Sequence, residues 1–153
     1  MTRAVVLMTA ALVLMTRTAV LDTNIVLDLF IFADEAAQVL KAELDKGSVR
    51  WIATERMRTE LERVLTYQHL LPRMAFYGIA ASDVLAAFDR YSDIVETPEK
   101  SRYHCKDEDD QMFVDLAAHH GCLLVSKDKA VLTMKKRLAT LDVEVTKVFA
   151  LPS

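Results

Sequence analysis

Four carboxylates stand where apolar segments end or turn, and they are the residues of this 153-residue sequence best placed to do chemistry. Asp22 closes the apolar run Thr18 to Leu21, and Asp128 follows the run Cys122 to Val125 after Ser126 and Lys127. Asp110 opens the segment that leads into the second of these runs. Glu60 stands in the first half of the segment that follows a third run, Val49 to Ala53. If the runs are parallel strands joined by right-handed crossovers, their carboxyl ends share one edge of the sheet, where open α/β sheets bind ligands. The four acids then converge. Two carboxylates about 4 Å apart repel by roughly 4 kcal/mol at an effective dielectric near 20, so such a cluster requires compensating charge. Two Mg2+ or Mn2+ ions, hard cations that take oxygen ligands, balance four negative charges. A pair of ions about 4 Å apart activates water and stabilises the leaving oxygen of a phosphodiester, so the pattern suggests phosphodiester hydrolysis.

Each acid also has an ordinary reading. Asp22 and Asp128 are good helix caps, and Glu60, in Thr59-Glu60-Leu61-Glu62-Arg63, suits a solvated helix face. Asp107-Glu108-Asp109-Asp110 is an acidic run of the kind the helix dipole favours at an N-terminus. Within that run, Asp110 precedes the apolar Phe113 and Ala117 by one turn and two, which puts it on their face. Asp107 and Asp109 are the reserve candidates. His104, His119 and His120 are less suited to a metal, because His119-His120 ends a helix where a cation complements the dipole.

The elements that must position these acids are legible as alternating strands and helices. The runs Thr18–Leu21 and Cys122–Val125 lack polar alternation, as strands buried on both faces do, and Val49–Ala53 is a second short strand between them. A brief strand is expected at Asp93–Val95 and a last one near Val143–Phe149. Helical spacing covers Ile25–Phe32, Glu35–Leu44, Arg56 to about Tyr67, Met74–Tyr77 after a break at Leu71-Pro72, and Ser82–Tyr91. A further helix opens at Asp109 or Asp110 and closes at Gly121, and a short one lies near Ala130–Leu138. The expected fold is a three-layer α/β/α sandwich with a mostly parallel central sheet.

Composition narrows the classes. Lysine plus arginine is 19 against 22 aspartate plus glutamate, net −3, so nucleic acid would meet a local patch and not an overall basic field. Two cysteines exclude a disulfide-dense scaffold and a four-cysteine zinc module, and the three glycines form neither a GxGxxG turn nor a GxxxxGK[ST] loop. The apolar run Ala4 to Met15 is too short to span a bilayer, so no membrane association is expected. Met1-Thr-Arg-Ala-Val-Val-Leu-Met-Thr is similar to Met15-Thr-Arg-Thr-Ala-Val-Leu-Asp-Thr. Residues 1–14 are therefore read as an N-terminal extension of uncertain role, and 15–153 as the domain.

Taken in order, these segments resemble the motifs of the PIN domain family of metal-dependent ribonucleases, in particular its toxin components of toxin–antitoxin pairs. Val20-Leu21-Asp22-Thr23-Asn24 looks like the family's opening motif, and Glu60-Leu61-Glu62-Arg63-Val64-Leu65 is similar to its second. Cys105-Lys106-Asp107-Glu108-Asp109-Asp110 resembles the C-x-D-x-D-D segment, and Leu124-Val125-Ser126-Lys127-Asp128 the closing V[ST]xD motif. Glu108 stands where a proline is frequent, and Ser126 replaces the commoner threonine; neither change removes a ligand. The resemblance implies a cytoplasmic endoribonuclease in which Asp22, Glu60, Asp110 and Asp128 bind two Mg2+ or Mn2+ ions and carry catalysis. It implies that Asn24 and Ser126 hold carboxylates or orient substrate through hydrogen bonds. Arg56, Arg63, Lys127 and Lys129 are candidates for RNA phosphate contacts. The partners it implies are an RNA substrate, a protein antitoxin and a second copy of the chain in a homodimer.

Other functions compete. A haloacid-dehalogenase-like phosphatase also places an aspartate after its first strand, but it needs a second acid two residues on, where this chain has Asn24. A phosphoreceiver domain needs an acidic pair before its aspartate, which is missing. A catalytically silent PIN scaffold that binds RNA or protein is the remaining alternative, and retention of all four acids argues against it.

Overall fold

In the computed structural model, which describes residues 16–150, β1 (Arg17–Leu21), β2 (Val49–Ala53), β3 (Ser92–Ile94), β4 (Leu123–Val125) and β5 (Glu144–Thr146) form one sheet. The strand order is β3-β2-β1-β4-β5, and every pairing is parallel. Ala19, Val20 and Leu21 of β1 and all of β4 are buried, which is why both read as unbroken apolar runs: successive side chains face opposite layers, and each layer is covered. The chain builds outward from β1 through β2 to β3, then returns to lay β4 on the other side of β1. The crossovers leaving β1 and β4 thus diverge and open a crevice at their carboxyl ends, the place where such sheets bind ligands.

The helices are α1 (Thr23–Phe30), α2 (Glu35–Lys46), α3 (Glu55–Val64), α4 (Leu71–Tyr77), α5 (Ala81–Tyr91), α6 (Gln111–His120), α7 (Lys129–Leu132) and α8 (Lys135–Ala139), with a 3-10 turn at Glu108–Asp110 before α6. Three start where a strand delivers the chain to the carboxyl edge. Asp22 accepts from the Ile25 N–H at 3.0 Å, Thr54 from Met57 at 3.4 Å and Asp128 from Ala130 at 2.8 Å. Each cap satisfies a helix N–H that has no intrahelical partner. Helix α6 lays Phe113, Val114, Leu116 and Ala117 into the core against β1 and β4. Helices α1, α3 and α5 pack on one another, and Trp51 of β2 meets Phe88 edge-on at 5.0 Å and stacks with Phe30 at 6.3 Å.

The α/β/α architecture agrees with expectation, and the sheet is fully parallel among the described residues. Several boundaries differ. Leu71-Pro72 begins α4 and does not precede it, because a proline in the first turn forfeits only an N–H that lacks a partner anyway. Helix α3 stops at Val64, where the Thr66 hydroxyl donates to the Arg63 carbonyl at 2.7 Å and competes with the helical ladder. The single helix expected near Ala130–Leu138 is two, parted at Thr133 and Met134; the Thr133 hydroxyl donates to the Ala130 carbonyl, and Met134 N–H to Val131 at 2.9 Å. The last strand is only Glu144–Thr146, within the longer run expected. The 1–14 extension lies outside the described residues. Among the described residues no helix is long and apolar enough to cross a membrane.

Candidate metal centre

Asp22 is the innermost of the acids, 2% exposed at the end of β1. Its backbone N–H donates to the Val125 carbonyl at 3.1 Å, which ties the first residue of the crevice to the end of β4. One carboxylate oxygen caps α1, and the other accepts a short hydrogen bond from the Ser126 hydroxyl. Ser126 is fully buried, and its oxygen also accepts from the Asp128 N–H at 3.1 Å. A single hydroxyl therefore fixes Asp22 and the backbone of Asp128 at once, across the two strands that form the crevice. Burial pushes the Asp22 carboxyl above its ordinary range; the hydrogen bonds from Ser126 and Ile25 oppose this, and the charge of Asp128 adds to it.

Asp110 enters from the 3-10 turn. It is 9% exposed, and its Oδ2 is buried without a hydrogen-bond donor. Its carboxyl is pushed up to about 8, chiefly by burial, then by the hydrogen bond and charge of Asp128, then by the charges of Asp107 and Asp22. Asp107, Asp110 and Asp128 each offer one oxygen, and the three oxygens lie within 4.8 Å of one another. Asp107 spends its other role locally, accepting from the Asp109 N–H at 3.0 Å.

The loop leading into this turn is pinned from below. Gln111 accepts from the Cys105 N–H at 2.6 Å and donates to the Tyr103 carbonyl and to Asp115. Asp115, buried, also accepts from the Ser101 N–H at 2.8 Å. Cys105 is a buried thiol whose pKa burial raises, so it serves as an apolar anchor beside the acids. Asp115 is thereby committed to holding the loop that carries Asp107.

The other expected site residues are placed unevenly. Glu60 is not within the tight cluster; both its oxygens accept from Arg63, at 2.8 and 2.7 Å. Arg63 also feels the charge of Asp109, so this end of α3 faces the acidic turn. Lys127 is paired with the buried Asp28. Arg56 and Lys129 are exposed and form no ion pair among the described residues, and Arg56 lines a cleft of about 570 Å³ with Lys100, His104 and Glu108. Asn24 is exposed on the first turn of α1 and makes no hydrogen bond to a carboxylate among the described residues. Asp107, held in reserve on the sequence, sits in the cluster, whereas Asp109 does not.

The donor set suits a hard divalent cation. Oxygen ligands at about 2.0–2.6 Å from one ion lie within about 5 Å of each other, the spacing these three carboxylates already have. A buried carboxylate oxygen without a donor from the protein is a group that a cation can satisfy. A family model described as PIN domain matches residues 18–130, a span that contains Asp22, Glu60, Asp107, Asp110 and Asp128. No curated protein and no solved structure matches the chain.

Proposed function

The chain belongs to the PIN domain family, whose members are generally nucleases, and on that premise we propose that it is a metal-dependent endoribonuclease that hydrolyses RNA phosphodiester bonds. The observation that carries the reading is Asp110, whose buried, donorless oxygen stands beside Asp107 and Asp128 at the carboxyl edge of the sheet. Asp22, Asp110 and Asp128 are the proposed ligands, with Asp107 beside them and Glu60 as the further acid that completes the charge for two ions. Mg2+ or Mn2+ held there supplies positive charge to the phosphodiester oxygens and lowers the pKa of an attacking water.

The chain's own groups set the geometry. Ser126 keeps the Asp22 carboxylate oriented and prevents it from turning away from Asp128. The capping bonds from Ile25 and Ala130 hold Asp22 and Asp128 on rigid helix starts, which limits the reorganisation needed when substrate arrives. Glu60 is held by Arg63 in an ion pair that an arriving cation would have to open, and Arg56 and Lys129 are free to meet RNA phosphates at the rim. The resemblance of the Cys105–Asp110 segment to toxin sequences supports the narrower reading of a cytoplasmic toxin, with a protein antitoxin and a homodimeric assembly. A short reading frame beside the gene whose product copurifies with this chain would test that assignment.

Cleavage of single-stranded RNA tests the activity. It is expected to need Mg2+ or Mn2+, to stop in EDTA, and to leave a 5′-phosphate and a 3′-hydroxyl, because the attacking oxygen comes from water and not from the ribose. Asp22→Asn should lower the rate by several orders of magnitude with the fold intact. A 2′,3′-cyclic phosphate product, or full activity in Asp22→Asn, would refute the two-ion mechanism; RNA binding without cleavage would make the chain a silent scaffold.

A further inference from the structure

A second cleft, of about 530 Å³, opens beside the carboxylates on the α1 and α4 side. Asn24, two residues past Asp22, and Lys127, between Ser126 and Asp128, line it, and the charge of Lys127 reaches Asp22. Its far wall comes from α4, which contributes Arg73 and Tyr77. The charges in this cleft cancel. Asp28 takes Lys127, and Asp34, whose carboxylate caps α2, and Arg73 add one charge of each sign to the lining. A formally neutral cleft is a poor trough for a phosphate backbone, which binds by charge.

The cleft offers flat surfaces instead. Tyr77 is 45% exposed at the end of α4, and the neighbouring Phe76, 84% exposed, meets it edge-on with ring centroids 5.2 Å apart. The Arg73 guanidinium lies over the Phe32 ring, 4.2 Å from its centroid, and both residues line the cleft. Aromatic rings and guanidinium planes are the two side-chain surfaces on which unpaired bases stack. The Asn24 amide, without a hydrogen-bond partner among the described residues, presents a donor and an acceptor together, the pattern needed to pair with the edge of a base.

We propose that this cleft is a nucleobase subsite, in which an unpaired base of the substrate strand stacks on Tyr77 and Arg73 and presents its edge to Asn24. The inference rests on the ribonuclease reading and deepens it: the substrate is single-stranded where it crosses α4, since a paired base has no free face to offer. Tyr77 and Arg73 are positioning residues, remote from the reacting phosphate.

Binding in EDTA tests the subsite apart from catalysis. With a fluorescently labelled ten-nucleotide single-stranded RNA as probe, Tyr77→Ala should weaken binding by roughly 5- to 150-fold, the loss that one base stack carries, while Tyr77→Trp stays near wild type. Arg73→Met, which keeps apolar cover on Phe32 but removes the flat cation, should also weaken it. Polyphosphate, an anion without bases, should bind wild type and Tyr77→Ala equally. Wild-type affinity for the RNA in Tyr77→Ala, equal losses for RNA and polyphosphate, or a wild-type chain that does not bind the RNA would each overturn the proposal. If binding depends on Tyr77 but Mn2+ brings no cleavage, the subsite stands and the nuclease reading falls; cleavage with unaltered binding by Tyr77→Ala gives the reverse.

Discussion

Metal affinity should climb steeply with pH below 8, and the reason lies in one carboxyl. Asp110 is pushed up to about 8 by burial and by Asp128, Asp107 and Asp22, so at pH 7 it is mostly protonated, and a cation must displace that proton to reach it. For a single group with this pKa, the ionised fraction is about 0.01 at pH 6 and about 0.5 at pH 8. The apparent Kd for Mn2+ should therefore be about 50-fold weaker at pH 6 than at pH 8, with about one proton released per site bound near pH 7. The raised carboxyl of Asp22 acts in the same sense. The Cys105 thiol, also raised, stays protonated across this range and does not contribute. Calorimetric titration with Mn2+ in two buffers of different ionisation enthalpy reads both the affinity and the proton count.

The same shift fixes the sign for stability without metal. The folded value lies above the unfolded one, so protonation favours the fold, and this stabilisation is complete near pH 4 and fades as pH rises through 8. Asp110→Asn should then melt higher than wild type at pH 8 in EDTA, by a few degrees, because a repelled charge is gone. It should also flatten the pH dependence of Mn2+ binding, leaving only the part that Asp22 contributes. Asp115→Asn should leave that dependence in place, since its carboxylate is engaged by Ser101 and Gln111. A Kd that is the same within threefold at pH 6 and pH 8 would refute the argument.

Three further outcomes are expected. Ser126→Ala removes the donor to Asp22 and the acceptor for the Asp128 N–H in a fully buried position, so it should cost about 1–3 kcal/mol, several degrees in thermal melting, and weaken Mn2+ binding as well. Asp107→Asn should weaken Mn2+ binding measurably in the same titration, whereas Asp109→Asn should not, because only Asp107 shares the oxygen cluster. A chain lacking residues 1–14 retains all of β1 and should melt within a few degrees of the full-length protein by calorimetry; a drop above about 10 °C would mean the extension packs into the core.

The scaffold was legible because its signals are local and redundant. The runs at 18–21 and 122–125 are too short and too continuous for surface helices, 49–53 is broken only by Arg50, and each leads to a residue that caps the next helix: Asp22, Thr54, and Asp128 after two polar residues. Parallel strands joined by crossovers then bring their carboxyl ends to one shared edge, whereas the order β3-β2-β1-β4-β5 is known only from the structure. Sequence could not convey how side chains spend their hydrogen bonds. Glu60 and Lys127 read as ligand and phosphate contact, yet in the structure each is paired, with Arg63 and with Asp28. Partners three residues apart on a helix are visible in a sequence, but Asp28 and Lys127 meet only because β1 and β4 are neighbours.

The acidic run shows where a helical rule gives a partial answer. Counting back from Phe113 and Ala117 with α-helical spacing puts Asp110 on their face, and Asp110 is buried where α6 carries that face into the core. The count cannot continue to Asp107, because the residues Glu108–Asp110 form a 3-10 turn closed by the Asp110 N–H on the Asp107 carbonyl at 3.1 Å. With three residues per turn, positions three apart eclipse. Asp107, the extended cap residue of that turn, is thereby brought back toward Asp110, and its oxygen lies within 4.8 Å of those of Asp110 and Asp128, while Asp109, adjacent to Asp110 in sequence, is exposed and outside the cluster. The tighter turn has an electrostatic consequence as well: it stacks two carboxylates beside a third, Asp128, and the resulting repulsion, added to burial, keeps a proton on Asp110 that a cation would replace.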